Sequence, residues 1–242
     1  MVNGTKPATA KQVVAIQQML GQGVYGSDLS FDEAQALITD KRAQQALLRD
    51  VLTAWKLKRL INPYVEEQAW CLNFLQGAGV LTTGLDEAVV PERPSGTAWL
   101  IPLPAGVGCN HIFDNLWNFA KWRWTDDLDG QLAKQDLSAR WIWVEPNLPD
   151  LEPDKATLGQ SANQADPEQQ SIQLREGMMF YAVAYQKTGR VPDKKGYTLC
   201  GGSRYRDGNV PRLYLNDNGE AYVDRYGPDK AVGAHGVRQA VR

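Results

Sequence analysis

The sequence predicts an α+β fold, in which a helical N-terminal part is followed by a strand-helix-strand unit and a small, mainly antiparallel C-terminal sheet packed on a long helix. Three observations predict it. Apolar residues recur at helical spacing over 11–76, short apolar runs bounded by Gly, Pro and Asn dominate beyond residue 97, and one long amphipathic stretch separates two groups of strands. Helices and strands segregated along the chain are typical of the α+β class.

Helical spacing persists through a first region that spans residues 9–85. Ser30 and Glu33 have the spacing of a capping box, in which the serine caps the helix and the glutamate reaches back to it. Pro63 suits the first turn of a further helix, because the first backbone N–H groups of a helix have no partner within it. We predict helices at residues 11–20, 30–39, 43–60 and 63–76.

Residues 86–96 have the composition of a linker. They hold Pro91, Pro94 and Gly96 among charged residues, which interrupts both helices and strands. We therefore predict a helical N-terminal region over residues 9–85 and an α+β C-terminal domain over residues 97–242.

The C-terminal domain opens with a predicted strand-helix-strand unit. Ala98–Leu103 and Arg140–Val144 are apolar runs of strand length, and the helix His111–Arg123 between them carries its apolar residues on one face. The connection is long enough for a crossover between parallel strands. Pro167 is expected to open the long helix, which ends near Thr188.

The tail of the chain combines short apolar runs with hairpin turns. Asp207-Gly208-Asn209 and Asn216–Gly219 are sequences of the kind that joins antiparallel strands. Across the second turn, Tyr214-Leu215 can pair with Tyr222-Val223. The predicted strands are Thr198–Cys200, Val210–Leu215, Ala221–Tyr226 and Gly236–Val241.

The composition predicts a soluble protein of the cytoplasm. The 242 residues are 43% hydrophobic and the net charge is -2, so no overall field would attract nucleic acid or an anionic membrane surface. Cys71, Cys109 and Cys200 are too irregularly spaced for a disulfide framework or a zinc site. No apolar run approaches the length of a membrane span, and the start of the chain lacks the apolar core of a signal peptide. We expect no cofactor, no metal and no membrane partner.

The most informative segment is Tyr197–Leu213, which concentrates a thiol, two adjacent glycines and three arginines around a tight turn. From Thr198 to Pro211 it reads TLCGGSRYRDGNVP. This block resembles the C-terminal signature of an uncharacterised bacterial protein family that is common in candidate phyla with small genomes. The family has no assigned activity, so the resemblance implies no catalytic or binding role for any residue.

The resemblance covers mainly residues 178–241. It also rests on Met178–Tyr181, Lys187–Gly189 and Gly236–Arg238. The chain departs from the pattern at residues 190–193, which read Arg-Val-Pro-Asp where the family has His-Leu-Asp. A function that depends on that histidine is therefore in doubt here.

Cys200, followed by two glycines, is the candidate for covalent chemistry. A thiol on a tight bend can act as a nucleophile where backbone amides face the reacting oxygen. The reaction needs a base, and His111 and His235 are the two histidines of the chain. The alternative is that Cys200 is a small buried hydrophobe in a strand, as free cysteines often are.

Arg204, Tyr205 and Asp207 form the candidate binding cluster, to which Arg212 and Arg225 can add from neighbouring strands. Arginines beside a glycine-rich bend can bind a carboxylate or phosphate through two parallel hydrogen bonds. In the alternative, Asp207 stabilises its own turn and Arg204 pairs with a carboxylate of the long helix. If one residue of the cluster binds a ligand, we expect it to be Arg204.

Two further segments have a functional and a structural interpretation. The loop Pro104–His111 leads from a strand to a helix N-terminus, where anions bind, although the glycine patterns of nucleotide sites are missing. Five tryptophans between residues 117 and 143 are interleaved with basic residues and can stack bases or sugars, or else pack a core. An exposed Trp122 or Trp124 would favour binding.

These features favour a binding or protein-interaction module whose contact surface lies near the Arg204 turn. Its partner would be an unknown protein or a small anionic ligand, and nucleic acid is disfavoured. The alternative is an enzyme that acts on a small anionic substrate through Cys200 or an arginine-lined pocket. A pocket that joins Cys200 or Arg204 to a histidine would favour the enzyme, whereas a flat exposed patch would favour the interaction module.

Overall fold

The computed structural model describes residues 63–165 and 171–242. The helices predicted at 11–20, 30–39 and 43–60, and the start of the long helix at Pro167, lie outside the described residues. Residues 66–242 form one compact unit, which includes the segment 86–96. The division of the chain into regions 9–85 and 97–242 stays a prediction.

The described residues contain both helices and strands, which confirms the α+β class. The helices are α1 (Val65–Gly77), α2 (Cys109–Asn115), α3 (Leu128–Gln131), α4 (Ala162–Ala165) and α5 (Leu174–Thr188), with a 3-10 turn at Lys155–Thr157. The strands are β1 (Trp99–Leu103), β2 (Lys121–Arg123), β3 (Arg140–Val144), β4 (Tyr197–Leu199), β5 (Val210–Leu215), β6 (Ala221–Tyr226), β7 (His235–Val237) and β8 (Ala240–Val241).

The strands form two sheets. The first has three strands in the order β1-β3-β8 and is antiparallel throughout. The second has five strands in the order β2-β6-β5-β4-β7. Its three central strands are antiparallel, while β2 and β7 run parallel to their neighbours. The predicted run Gly236–Val241 therefore divides into two short strands, one in each sheet.

The segment between β1 and β3 differs from the predicted crossover, because the two strands are antiparallel. The helix predicted to reach Arg123 ends at Asn115, and the chain then enters the second sheet as β2. Parallel pairing with β6 gives β2 the backbone hydrogen bonds that a helix would otherwise supply. Long-range pairing thus overrides the helical spacing of the apolar residues in this segment.

The hairpin of β5 and β6 agrees with the prediction. The turn at Asn216–Gly219 is closed by hydrogen bonds between Asn216 and Glu220, and Gly219 adopts a positive φ of 80°. Tyr214 lies directly opposite Tyr222. The same register places every second side chain of both strands on one face of the sheet.

Helix α5 is the centre of the core. Its residues 174–184 are all buried, and Gly177 allows Leu213 of β5 to approach closely, since a Cβ there would lie 2.8 Å from Leu213 Cδ1. Trp117 Nε1 donates a hydrogen bond to Met178 O at 2.8 Å, which ties the segment after α2 to the helix. Gly189 ends the helix in the left-handed conformation, as a C-terminal glycine commonly does.

A buried ion pair joins the end of the chain to the segment after α5. Arg238 and Asp193 lie 2.5 Å apart at the Nη2 and Oδ1 atoms, and both side chains are almost completely buried. Tyr181 of α5 donates a hydrogen bond to the other carboxylate oxygen at 2.6 Å. Burial, with the adjacent Asp193 charge, raises the pKa of the Tyr181 hydroxyl, so it remains protonated and continues to donate.

Candidate functional site

The signature block Thr198–Pro211 is built into the N-terminus of α5. The Ser203 hydroxyl accepts a hydrogen bond from Leu174 N at 3.0 Å and so satisfies one of the first backbone donors of the helix. Gly202 passes so close to the preceding segment that a Cβ would lie 2.5 Å from Ser171 O. Both features explain, in structural terms, why a glycine and a serine occur in this loop.

Cys200 lies at the end of β4 and is completely buried. Its Sγ is close to Gly177 of α5, where an added Cβ would come within 3.3 Å of it. Burial raises the pKa of the Cys200 thiol well above its usual value, so the reactive thiolate is disfavoured. Neither His111 nor His235 hydrogen bonds to it within the described residues, and this environment is that of a packed core cysteine.

Arg204 is half-buried and directs its guanidinium at its own loop. Nη1 donates to Gly201 O at 2.6 Å and to Ser203 O at 2.8 Å, while Nη2 donates to Asn163 of α4 at 2.9 Å. The predicted pairing of Arg204 with a carboxylate of the long helix stays a prediction for the part of that helix outside the described residues. Glu176 is the acidic residue of α5 and pairs with two other arginines.

Substitution of Arg204 by Ala is expected to lower the free energy of unfolding by about 1–3 kcal/mol, because carbonyl groups that a charged donor had satisfied lose that partner. Chemical denaturation monitored by circular dichroism measures the change. Arg206→Ala is the matched control, since Arg206 is exposed in the same turn. Equal stability of the Arg204 and Arg206 variants would contradict a structural role for Arg204.

Tyr205 and Asp207 also have partners within the fold. Tyr205 is buried against Trp124 in an edge-to-face contact with ring centroids 5.3 Å apart. Asp207 accepts a hydrogen bond from Asn209 N at 3.0 Å, and this bond is the main cause of the lowered pKa of its carboxyl group. Asp207 also pairs with Arg225 at 3.2 Å. The turn is therefore stabilised by its own side chains, as the structural alternative proposed.

Arg212 differs from the other candidates because it lies on the outer face of the five-stranded sheet. It stands opposite Asp224 across β5 and β6, and the two side chains form an ion pair of 2.5 Å. The guanidinium lies over three tyrosine rings, with 5.2 Å to the Tyr197 centroid, 4.8 Å to Tyr214 and 5.0 Å to Tyr226. These distances are those of cation–π contacts.

One aromatic ring on each strand extends this face into a ladder that crosses the whole sheet. Successive ring centroids lie 4.8, 5.2, 5.0 and 4.6 Å apart. The strand register places Trp122 and Tyr214 opposite Tyr222 and places Tyr197 opposite His235, so the ring spacing follows the distance between strands. We call these residues the aromatic ladder, which in order is Trp122, Tyr222, Tyr214, Tyr197 and His235.

The aromatic ladder is open to solvent at one end and covered at the other. Trp122 on the edge strand β2 is 43% exposed, and the three tyrosines are partly exposed. The three tyrosine hydroxyls make no hydrogen bond within the described part of the chain. Elsewhere on this face, Ala162 of α4 packs against Leu199, Val210 and Val237. The uncovered half is therefore a flat patch of partly exposed rings around Arg212.

His235 forms the covered end of the ladder. It is buried, and its ring meets Tyr226 and Tyr197 edge-on, with centroids 4.4 and 4.6 Å away. Burial, assisted by the positive charge of Arg212, lowers the pKa of His235 to about 4. The imidazole is thus neutral at physiological pH and serves as an aromatic packing residue.

In the loop 104–111, the place where an external anion would bind is occupied by the carboxylate of Asp129. Asp129 accepts hydrogen bonds from Cys109 N at 2.7 Å and from Asn110 N at 2.9 Å. These are the first amides of α2, the position where a bound anion would lie. The structural interpretation of this loop is therefore the one that the geometry supports.

Among the tryptophans, Trp117, Trp141 and Trp143 are buried in the core. Trp122 is the exposed one that was expected to favour binding. Sequence reasoning did not assign Tyr197, Tyr214 or Tyr222 to the site. For Tyr214 and Tyr222, the usable signal was the alternation of residues along β5 and β6, which puts both tyrosines on the same face as Arg212.

Comparisons with known proteins add no information about the site. No protein-family model matches the chain, and no curated protein or solved structure is significantly similar to it. Within residues 63–165 and 171–242, no cluster of three His, Cys, Asp or Glu side chains could hold a metal ion. In the same part of the chain, no helix has the length and apolar character needed to cross a membrane.

Proposed function

We propose that the chain is a protein-interaction module that binds its partner through the exposed part of the aromatic ladder and Arg212. The observation that carries the proposal is the flat patch formed by Trp122, Tyr222, Tyr214 and Tyr197 around that arginine. Trp, Tyr and Arg are the residues most enriched among those that dominate binding energy at protein interfaces. The contact surface thus moves from the Arg204 turn to the sheet face that contains Arg212.

The rings are held in place before binding, which favours affinity. Each ring packs against the next at about the strand spacing, so little rotamer freedom remains to be lost on association. Burial raises the pKa of the Tyr214 hydroxyl, so it stays a donor at physiological pH. The patch therefore combines ordered apolar area with hydroxyl groups that have no hydrogen-bond partner among residues 63–165 and 171–242.

The charges on this face favour a neutral partner surface over a polyanion. Arg212 is compensated by Asp224, and the hairpin that carries the tyrosines ends in Asp217 and Glu220. A nucleic acid would need uncompensated basic side chains at this place. We propose a partner that presents apolar or aromatic side chains together with carbonyl acceptors for the tyrosine hydroxyls.

A binding function is favoured over catalysis because Cys200, the candidate nucleophile, is inaccessible and protonated. Cys200 is buried and its thiol is neutral. The three cysteines are free thiols, which fits the reducing cytoplasm that we propose as the location.

The proposal is tested by partner capture with three forms of the full chain in extracts of the source cells. The forms are the wild type, Trp122→Ala combined with Tyr222→Ala, and the control Val89→Ala. Val89 is 86% exposed and belongs to no strand. A partner retained by the wild type is then purified, and its Kd is measured by calorimetry.

We expect the double variant to weaken binding by at least about 2 kcal/mol, roughly 30-fold, as loss of dominant interface residues does. The Val89 variant should bind like the wild type, and all three forms should melt cooperatively. Equal binding by the double variant, or failure of the wild type to retain any protein that the double variant does not, would contradict the proposal.

A further inference from the structure

A second surface feature lies away from the aromatic ladder, at the C-terminal end of α5. A groove of about 440 Å³ opens there between α1, the segment 93–100 and the last turn of the long helix. This volume is in the range of sites for small molecules. We call it the Lys187 groove; the residues that matter to its chemistry are Glu67, Cys71, Arg93, Trp99, Leu148 and Lys187.

One wall of the Lys187 groove is apolar. Trp99 at the start of β1 is partly exposed, and the Leu148 side chain is 54% exposed. Cys71 adds to this wall as a neutral thiol, since its Sγ lies 3.4 Å from Leu100 O and burial raises its pKa to about 12. The wall therefore offers contact area without a nucleophile.

The cations of the groove are not equivalent. Arg93 pairs with Glu67 at 2.6 Å and stacks over the Trp143 ring at 4.3 Å, so its charge is compensated. The Lys187 ammonium lies 3.8 Å from the Trp70 ring centroid and 5.8 Å from that of Trp99. Within the described residues it has no ion-pair or hydrogen-bond partner.

Lys187 is exposed to solvent, but its ammonium lies against the rings that line the groove, so one side of the charge is turned away from water. Burial is the main cause of the lowered pKa of the ammonium group, which Glu67 only partly offsets. An anion placed beside the ammonium would pair with this charge and favour its charged form. The groove thus has one uncompensated positive charge next to an apolar wall.

We propose that the Lys187 groove binds a small organic monocarboxylate, whose charged group pairs with Lys187 while its apolar body lies against Trp99 and Leu148. A single excess positive charge matches a monoanion, and Glu67 in the same groove opposes the second charge of a phosphate. The site is one for binding, without a covalent step. It shares no residue with the aromatic ladder and does not depend on the function proposed for it.

The test uses 4-phenylbutyrate as the probe and 4-phenylbutan-1-ol as its neutral counterpart, in calorimetric titrations of the full chain. Two variants are compared with the wild type. Lys187→Met removes the ammonium and keeps an unbranched side chain that is one atom shorter. Lys194→Met is the control, because Lys194 is an exposed lysine before β4.

We expect saturable binding of phenylbutyrate, weakened at least about tenfold by Lys187→Met and unchanged by Lys194→Met. The alcohol should bind at least about tenfold more weakly than the acid. Inorganic phosphate should fail to displace the acid, and the Trp122→Ala, Tyr222→Ala variant should bind it normally. Absence of saturable binding, equal affinity for acid and alcohol, displacement by phosphate, or an unaffected Lys187 variant would each overturn the inference.

Discussion

Replacement of Asp193 by Ala is expected to destabilise the protein by about 3–5 kcal/mol, because removal of one partner leaves the other charge of a buried ion pair uncompensated. Arg238 also donates hydrogen bonds to Thr198 of β4 at 3.1 Å and to the Leu151 carbonyl, so its guanidinium joins three parts of the chain. The loss would also leave the Tyr181 hydroxyl without its acceptor. Urea unfolding followed by tryptophan fluorescence measures the change.

Two controls make the Asp193 result specific. Asp217→Ala removes an exposed aspartate from the tip of the β5–β6 hairpin and should change stability by less than about 0.5 kcal/mol. The double substitution Asp193→Leu with Arg238→Met should cost less than the sum of the two single losses, since no unpaired charge remains buried. Additive losses, or a stable Asp193→Ala variant, would contradict the account of this pair.

Replacement of Glu176 by Ala is expected to cost about 3 kcal/mol, because a buried carboxylate that serves two arginines is lost. Glu176 pairs with Arg140 of β3 at 3.1 Å and with Arg242 at 2.7 Å. It also accepts a hydrogen bond from Gln173 N at 2.7 Å, which closes the first turn of α5. The free energy of unfolding should fall while the far-UV spectrum of the folded state is retained.

Two further variants are compared with Glu176→Ala by their free energy of unfolding: substitution of an exposed glutamate, Glu87, and deletion of Arg242. Glu87→Ala at an exposed position should be neutral. Deletion of Arg242 should reproduce part of the Glu176 effect, because Glu176 then keeps one of its two arginines, Arg140, at 3.1 Å. A Glu176 variant as stable as the Glu87 variant would show that this network does not stabilise α5.

Local sequence signals sufficed for the elements whose partners are close in the chain. The strands β5 and β6 and their turn were predicted with the observed bounds, since a hairpin needs only alternation and a turn sequence. The predicted end of the long helix near Thr188 also agrees with the structure, where Gly189 supplies the left-handed residue that ends α5. These boundaries follow from interactions between residues that are close together in the sequence.

Elements that depend on distant partners were not predictable in the same way. The three residues of β2 lie in a segment with helical spacing, and their strand conformation follows from pairing with β6, about a hundred positions later. The antiparallel order of β1 and β3 likewise depends on the excursion that the chain makes into the second sheet. Neither feature leaves a periodic signal in the segment itself.

The residues of the candidate site also divide into those placed by a local hairpin and those placed by pairing with distant strands. Arg212 and the pairing of Tyr214 with Tyr222 follow from the hairpin, whereas Trp122 and His235 join the ladder through parallel edge strands from other parts of the chain. The arginine and tyrosine of the signature, Arg204 and Tyr205, turned out to contact the fold itself. The resemblance to a bacterial family stays a prediction, and conservation of Gly202, Ser203 and Arg238 in relatives would fit their structural roles.

The central claim is that the signature block stabilises the fold while the aromatic ladder binds the partner. Measurement of the Kd for the captured partner with Tyr222→Ala and with Arg204→Ala, each beside its melting temperature, tests it most directly. We predict that Tyr222→Ala weakens binding at least about tenfold in a folded protein, and that Arg204→Ala lowers the melting temperature but binds normally at low temperature. Normal binding by Tyr222→Ala, together with lost binding by a fully folded Arg204→Ala, would contradict the claim and return the contact surface to the Arg204 turn.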